Sequence, residues 1–304
     1  MSVILSITHT TRYRFARAVE LGEHRVMFRP RDSHDLRVLA TDLAVLPEPV
    51  DIRLIQDVFL NSIAIVQPRS PAQMLEIVAS FTVEHTGTRA LDLPLHPSAQ
   101  YFPFAYDADE RIVLLPYITP HYDDPAGTLA AWAQQFVPAG GKIGTREVLI
   151  EMTRHIRDTF LYETRHAEGV QTPCETLARN SGTCRDFAML MIEAVRHLGY
   201  AATFVSGYLY SRATDPDAGG LVGGGLVGGG LVGGGATHAW LQVYLPGAGW
   251  LPFDPTNNLV GGNELVRVGF ARHASEASPV SGSWVGSADD YLGMDVEVRV
   301  QRSG

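Results

Sequence analysis

The stretch from Thr183 to Asp254 constrains the fold most, because its hydrophobic period changes once and does not change back. Phe187, Leu190, Met191, Ala194 and Leu198 recur at helical spacing, with Thr183 as a capping residue before them and Gly199 as a terminator after. Beyond Gly199 the pattern becomes strand-like over 201–209, 238–245 and 249–253. A helix followed by successive antiparallel strands is an α+β order, not the alternation that builds a doubly wound parallel sheet.

Upstream, residues 1–115 read as β-rich, with strands expected over 3–9, 36–45, 52–59 and 74–83. Turn chemistry such as Pro47-Glu48-Pro49 and Asn61-Ser62 separates them, and this spacing predicts a β-sandwich-like domain. Helices are expected over 128–136 and 145–160; in the latter Val148, Met152, Ile156 and Phe160 repeat every four residues. The expected division is a β-rich domain at 1–115, a helix-bearing linker at 116–144 and a core at 145–304 that ends in C-terminal strands, the last over 294–300.

Composition narrows the function. Of 304 residues, 45% are hydrophobic and 19% charged, and the net charge is -9. Phosphate binding needs a surplus of Lys and Arg, so neither a nucleic-acid partner nor an anionic membrane surface is expected. No secretory leader is read at Met1–Ser6, and no apolar run approaches the roughly 18–20 residues of a membrane helix. With only two cysteines, Cys174 and Cys184, there is no disulfide framework, and a reducing cytoplasm is the expected location. The 11 histidines are scattered, without the spacing of a zinc or calcium site, and no metal or cofactor is predicted.

Residues 219–235 repeat Gly-Gly-Leu-Val-Gly three times in tandem. The chance G-x-G-x-x-G of Gly223, Gly225 and Gly228 is not a dinucleotide site, because a strand follows it where a helix is required. An expanded flexible loop is the expectation, with a flap over His238 as the alternative.

Three residues are candidates for chemistry. Cys184 falls at the first helical position after Thr183, where unpaired N–H groups favour a thiolate; Cys174 reads as structural. His238 opens a strand in which alternation puts it on the face of Trp240, Gln242 and Tyr244. Asp254 ends the next strand before Pro255. Each alone has an ordinary structural reading. Together they form a nucleophile, a base and an orienting carboxylate, provided the hairpin register puts Tyr244 opposite Trp250. That register needs an odd-length loop or a bulge. The Cys184 N–H is an expected oxyanion donor, with Gln171 and Trp240 as further candidates for oxyanion or substrate positioning; Asp186 is expected to complement the helix dipole.

The runs Ser181-Gly182-Thr183-Cys184-Arg185-Asp186-Phe187-Ala188, Phe204–Leu209, Thr237-His238-Ala239-Trp240 and Gly249–Asn257 resemble the bacterial transglutaminase-like core. His9–Tyr13, Arg29-Pro30-Arg31 and Asp57–Asn61 resemble the β-domain that precedes this core in bacterial members. The resemblance spans nearly the whole chain. It implies a papain-like fold, helices packed on an antiparallel sheet, and a Cys-His-Asp triad carried onto Cys184, His238 and Asp254. Arg185 stands where many relatives have Gln, and Gly234 where an acidic residue is common. The expected activity is acyl transfer from an amide of a peptide or protein, as a cysteine protease or amidase. The alternatives are a protein-glutamine transglutaminase and a non-catalytic binding module.

Overall fold

A computed structural model describes residues 2–87, 89–140, 142–164, 169–211, 231–232 and 235–303; most of the glycine repeat lies outside these. The chain opens with β1 (Val3–Arg29), β2 (Leu36–Leu46), β3 (Val50–Gln56), β4 (Ser62–Pro68) and β5 (Ala72–His85). Short strands β6 (Tyr101–Phe102) and β7 (Ile143–Gly144) flank α1 (Ala108–Ile118) and α2 (Thr128–Gln134). Then come α3 (Thr145–Thr159), β8 (Leu161–Tyr162), α4 (Pro173–Arg179), β9 (Ser181–Gly182) and α5 (Cys184–His197). The rest is strand: β10 (Ala201–Leu209), β11 (Thr237–Leu245), β12 (Gly249–Asp254), β13 (Leu259–Val260), β14 (Leu265–Ala271), β15 (Val280–Val285) and β16 (Tyr291–Arg302).

The fold is α+β. Its N-terminal part is one curled antiparallel sheet of order β2-β5-β1-β4-β3, with β15 and β16 also paired to β1. The curl replaces the two separate sheets of a true sandwich, and β1 causes it. This strand runs 27 residues where a short one was expected. Its first half pairs with β5 and β16 and its second with β4 and β15, with register shifts between Arg14 and Val19 and between Met27 and Arg29. Bulges bend a strand and reset which face each residue presents, so the alternation breaks while the strand continues. β3 stops at Gln56 because Asp57 Oδ1 accepts from the N–H of Phe59 (2.9 Å) and Asn61 (2.8 Å), closing a turn in which Leu60 has φ 65°.

A helix not expected from the sequence, α1, lies mostly within the stretch read as β-rich and runs three residues into the expected linker. α1 contains Pro116 and exposes Ile112, Val113 and Leu115, so it shows no apolar stripe to read. The final strand forms around the expected residues, yet β15 and β16 hydrogen-bond to β1 and not to the core sheet.

The core sheet has the order β13-β12-β11-β10-β14, all antiparallel. Phe187, Leu190, Met191 and Ala194 of α5 pack against Phe204 of β10, Leu241 and Val243 of β11, and Phe253 of β12. Each such fully buried side chain contributes about 1.5–3 kcal/mol. A second cluster joins Tyr208, Val266 and Val268 of this sheet to Leu5, Ile7, Phe81 and Val298 of the curled sheet. The β11–β12 hairpin pairs Tyr244 with Trp250 and Leu245 with Gly249, leaving Pro246-Gly247-Ala248 as an odd-length loop. This is the register that the candidate residues require.

Candidate active site

The first turn of α5 is built around Asp186. Its Oδ2 accepts from the Thr183 N–H (2.8 Å) and hydroxyl (2.9 Å), and the Thr183 oxygen caps the Asp186 N–H in return. Such a reciprocal box satisfies donors that a helix start leaves open. Asp186 Oδ1 also accepts from the Gln171 N–H at 2.7 Å, so this buried carboxylate pins residue 171 to the turn that carries Cys184. Gly182 is needed for space: a Cβ there would lie 2.8 Å from the Asp186 Cβ. Cys184 follows as the first residue of α5 and is 9% exposed.

His238 and Asp254 share a face because Leu241 pairs with Phe253, which puts Asp254 level with Trp240 and diagonal to His238. His238 Nε2 and Asp254 Oδ2 are 2.8 Å apart, with both side chains fully buried. The remaining lone pairs of the carboxylate are also used. Oδ1 accepts from the N–H of Thr256 (2.9 Å) and Asn257 (3.4 Å), and Oδ2 accepts from Asn257 Nδ2 at 2.8 Å. A buried carboxylate with a full set of donors holds one orientation.

The His238 imidazole is pushed up to about 10. Burial pulls it down, but the Asp254 carboxylate and then Cys184, by hydrogen bonding and charge, outweigh that. With Nε2 on Asp254, Nδ1 is the nitrogen left to face Cys184, and it makes no hydrogen bond among the described residues. The start of α5 and the start of β11 thus bring Cys184 near enough to His238 to act on its charge.

Of the two weaker candidates, Gln171 sits against the α5 turn, its Oε1 accepting from Thr176 Oγ1 at 3.3 Å and its Nε2 unbonded among the described residues. Trp240 differs from the expectation. It is 1% exposed, so it has no surface to offer a substrate; its indole stacks against His238 at 6.0 Å and packs with Val205, Leu209 and Leu265. Cys174 is on α4, partly exposed, and burial raises its thiol.

Two neighbours were given no role by the sequence. Tyr162 on β8 pairs with Gly182 on β9, two residues before Cys184. Its phenol is pushed up to about 12, first by burial and then by the charge of Cys184, while Arg185 works in the opposite direction. Nothing in the spacing links residue 162 to residue 184; only the parallel β8–β9 pair does. Asn257 lies three residues after Asp254 in an Asp-Pro-Thr-Asn turn, and that turn chemistry is the signal that could have found it. Among the described residues no group of three His, Cys, Asp or Glu side chains could hold a metal ion, and no helix is long and apolar enough to cross a membrane.

Residues 5–84 match the bacterial transglutaminase-like N-terminal region, and residues 131–255 match the transglutaminase-like superfamily. An uncharacterized protein of Mycobacterium tuberculosis (strain ATCC 25618 / H37Rv) is 29% identical over 303 residues, 96% of this chain and 91% of its own. An uncharacterized protein of Mycobacterium leprae (strain TN) is 29% identical over 133 residues, 44% of this chain and 41% of its own. The crystal structure of a "putative cysteine protease" from Cytophaga hutchinsonii superposes with a TM-score of 0.70 at 18% identity, covering 100% of this chain and 92% of that one. The chain belongs to the transglutaminase-like superfamily, carrying the bacterial transglutaminase-like N-terminal region ahead of a papain-like core.

Proposed function

We propose that this chain is a thiol acyl-transfer enzyme that hydrolyses amide bonds of peptides or proteins, with Cys184, His238 and Asp254 as its triad. The observation that carries this reading is the division of labour on the His238 ring: Nε2 is held by Asp254 at 2.8 Å, and Nδ1 is left to Cys184. The raised affinity of the ring for a proton makes it the acceptor for the Cys184 proton, and its cationic form then faces the attacking sulfur. Cys184 Sγ attacks the amide carbonyl carbon, and negative charge moves onto the carbonyl oxygen. The Cys184 N–H at the start of α5 and Gln171 Nε2 are the donors for that oxygen. His238 then gives its proton to the amine as the C–N bond breaks, leaving a thioester. The neutral ring next takes a proton from water, whose oxygen displaces the sulfur and releases the acid. Asp254 keeps the ring in one tautomer and stabilises its cationic form throughout. Water is the favoured acceptor because it requires no binding site of its own.

Two measurements test this. Iodoacetamide near neutral pH should label Cys184 ahead of Cys174, since a paired thiolate reacts faster than an ordinary thiol; equal labelling sinks the triad. Peptide mixtures incubated with the wild type should show mass changes of cleavage or deamidation that persist in Cys174→Ala and vanish in Cys184→Ala. Cross-linked products would assign amine transfer instead.

A further inference from the structure

The Asn257 amide is fully used by two partners, one in its own turn and one 25 residues away in sequence. Nδ2 donates to Asp254 Oδ2 at 2.8 Å and to the Val232 carbonyl at 3.0 Å, while Oδ1 accepts from the Val232 N–H at 2.6 Å. These partners leave the amide one orientation, because turning it over would set Oδ1 against a carboxylate and a carbonyl. The carboxylate oxygen it holds is the one that binds His238, and Asn257 Nδ2 lies 3.4 Å from the ring nitrogen. Residue 231 completes the picture. Leu231 packs on Val205, Leu209, Trp240 and Leu265, and Trp240 is the indole stacked on His238. The dipeptide Leu231-Val232 is therefore linked to both supports of the imidazole: the carboxylate through Asn257, and the indole through the apolar cluster that Leu231 packs against. These residues are the third Leu-Val of the glycine repeat, and Val232 is buried.

We propose that Leu231, Val232 and Asn257 form a clamp that sets the position of the His238–Asp254 pair, with Asn257 as its positioning residue. The last Leu-Val of the repeat is then part of the site's framework and not spacer. The physical reason is torsional. The terminal torsion of an Asp side chain is broad, so a carboxylate keeps its plane only if its donors are themselves fixed. The backbone N–H groups of Thr256 and Asn257 hold Oδ1. The donor on Oδ2 is a side chain, and two bonds to the Val232 backbone keep it in place.

This inference rests on reading His238 and Asp254 as partners of Cys184, and its test separates the two. All proteins are full-length and carry Cys174→Ala, so that iodoacetamide reports Cys184 alone, with rates followed from pH 5 to 10. In the parent, the rate should persist at low pH. In Asn257→Ala it should fall at least about tenfold at pH 6 and less than about twofold at pH 9, because the ring no longer pairs with the sulfur. Leu231→Ser, which leaves every hydrogen bond of the amide in place, should shift in the same direction by about threefold at pH 6. Profiles of both variants that superpose on the parent overturn the clamp, as does a fall by the same factor at every pH, which assigns the residues to folding alone. A parent whose low-pH reactivity is that of an ordinary thiol overturns the triad reading instead.

Discussion

The core sheet and the curled N-terminal sheet are both antiparallel, and they treat polar residues in opposite ways. In the curled sheet, β5 alternates buried and partly exposed residues along most of its length, and β3 is exposed almost throughout. Its charges pair near water, as Arg69 does with Asp51. In the core, every residue of β10 is buried and all but two of β11 are. Polar groups there must be paired internally, because a buried unpaired charge costs more than its partner returns. The difference shows where function can be built. A half-solvated sheet tolerates a stray His or Asp, whereas in a dry one the charge depends on its partners, as His238 depends on Asp254, and those partners tune it.

Removing one half of the buried Glu193–Arg196 pair should separate the two regions most sharply. Both side chains are fully buried. Arg196 also donates to the carbonyls of Tyr117 (3.0 Å), Ala202 (2.9 Å) and Arg272 (2.9 Å), and Glu193 Oε2 accepts from the N–H of His121 (2.7 Å) and Tyr122 (3.1 Å). Arg196→Met leaves the carboxylate buried without its cation and should cost about 3–5 kcal/mol in urea unfolding. A loss below about 1 kcal/mol would mean that the core is wetter than its burial implies.

Gly207→Ala comes next. A Cβ at residue 207 would lie 2.1 Å from the Val266 carbonyl oxygen and 2.9 Å from Trp240 Cη2. Strands β10 and β14 must part or the indole must move, at about 1–3 kcal/mol. Because Trp240 stacks on His238, amidase turnover should fall as well, measured beside the urea midpoint.

The pH dependence of stability is subtler. The folded pKa of His238 is raised from 6.5 to about 10, so the folded state holds this proton more tightly. Its contribution is complete below pH 6.5 and declines as pH rises towards 10. Asp254→Asn removes the principal group that raises it, so the difference in unfolding free energy between wild type and variant should shrink over that window. A difference that stays constant would show that the ring is not held by this carboxylate.

The smallest effect belongs to the curled sheet. Arg69→Ala breaks the Asp51 pair, whose side chains are 60% and 56% exposed, and should leave the thermal midpoint unchanged. A clear drop would make the two sheets alike after all.

The legible parts of the fold were those with an unbroken local signal. The helix from Cys184 to His197 carries its cap, its stripe and its terminator in one run of sequence, and the strands after it are short apolar runs bounded by turn residues. β1 was only partly legible because bulges reset its alternation, and α1 was missed because its apolar residues face solvent. In the site, Cys184, His238 and Asp254 could be read as candidates because helix start and hairpin register are local properties. Tyr162 could not, since a two-residue parallel pairing with Gly182 is what brings it beside the turn that carries Cys184.

By itself, then, the sequence determined the α+β order and the capped helix that begins at Cys184, and it named the hairpin register that His238 and Asp254 need to share a face, which the structure then supplied. These follow from periodicity, capping and loop length, which act over a few residues. Tertiary structure alone decided that the C-terminal strands return to β1, that Trp240 braces His238 from within the core, and that Asn257 ties Asp254 to Val232. The C-terminal strands and Val232 reach their partners across long stretches of chain, and the indole and the amide take their places only when the core packs around them. Such contacts become favourable only once burial has removed water as the competing partner.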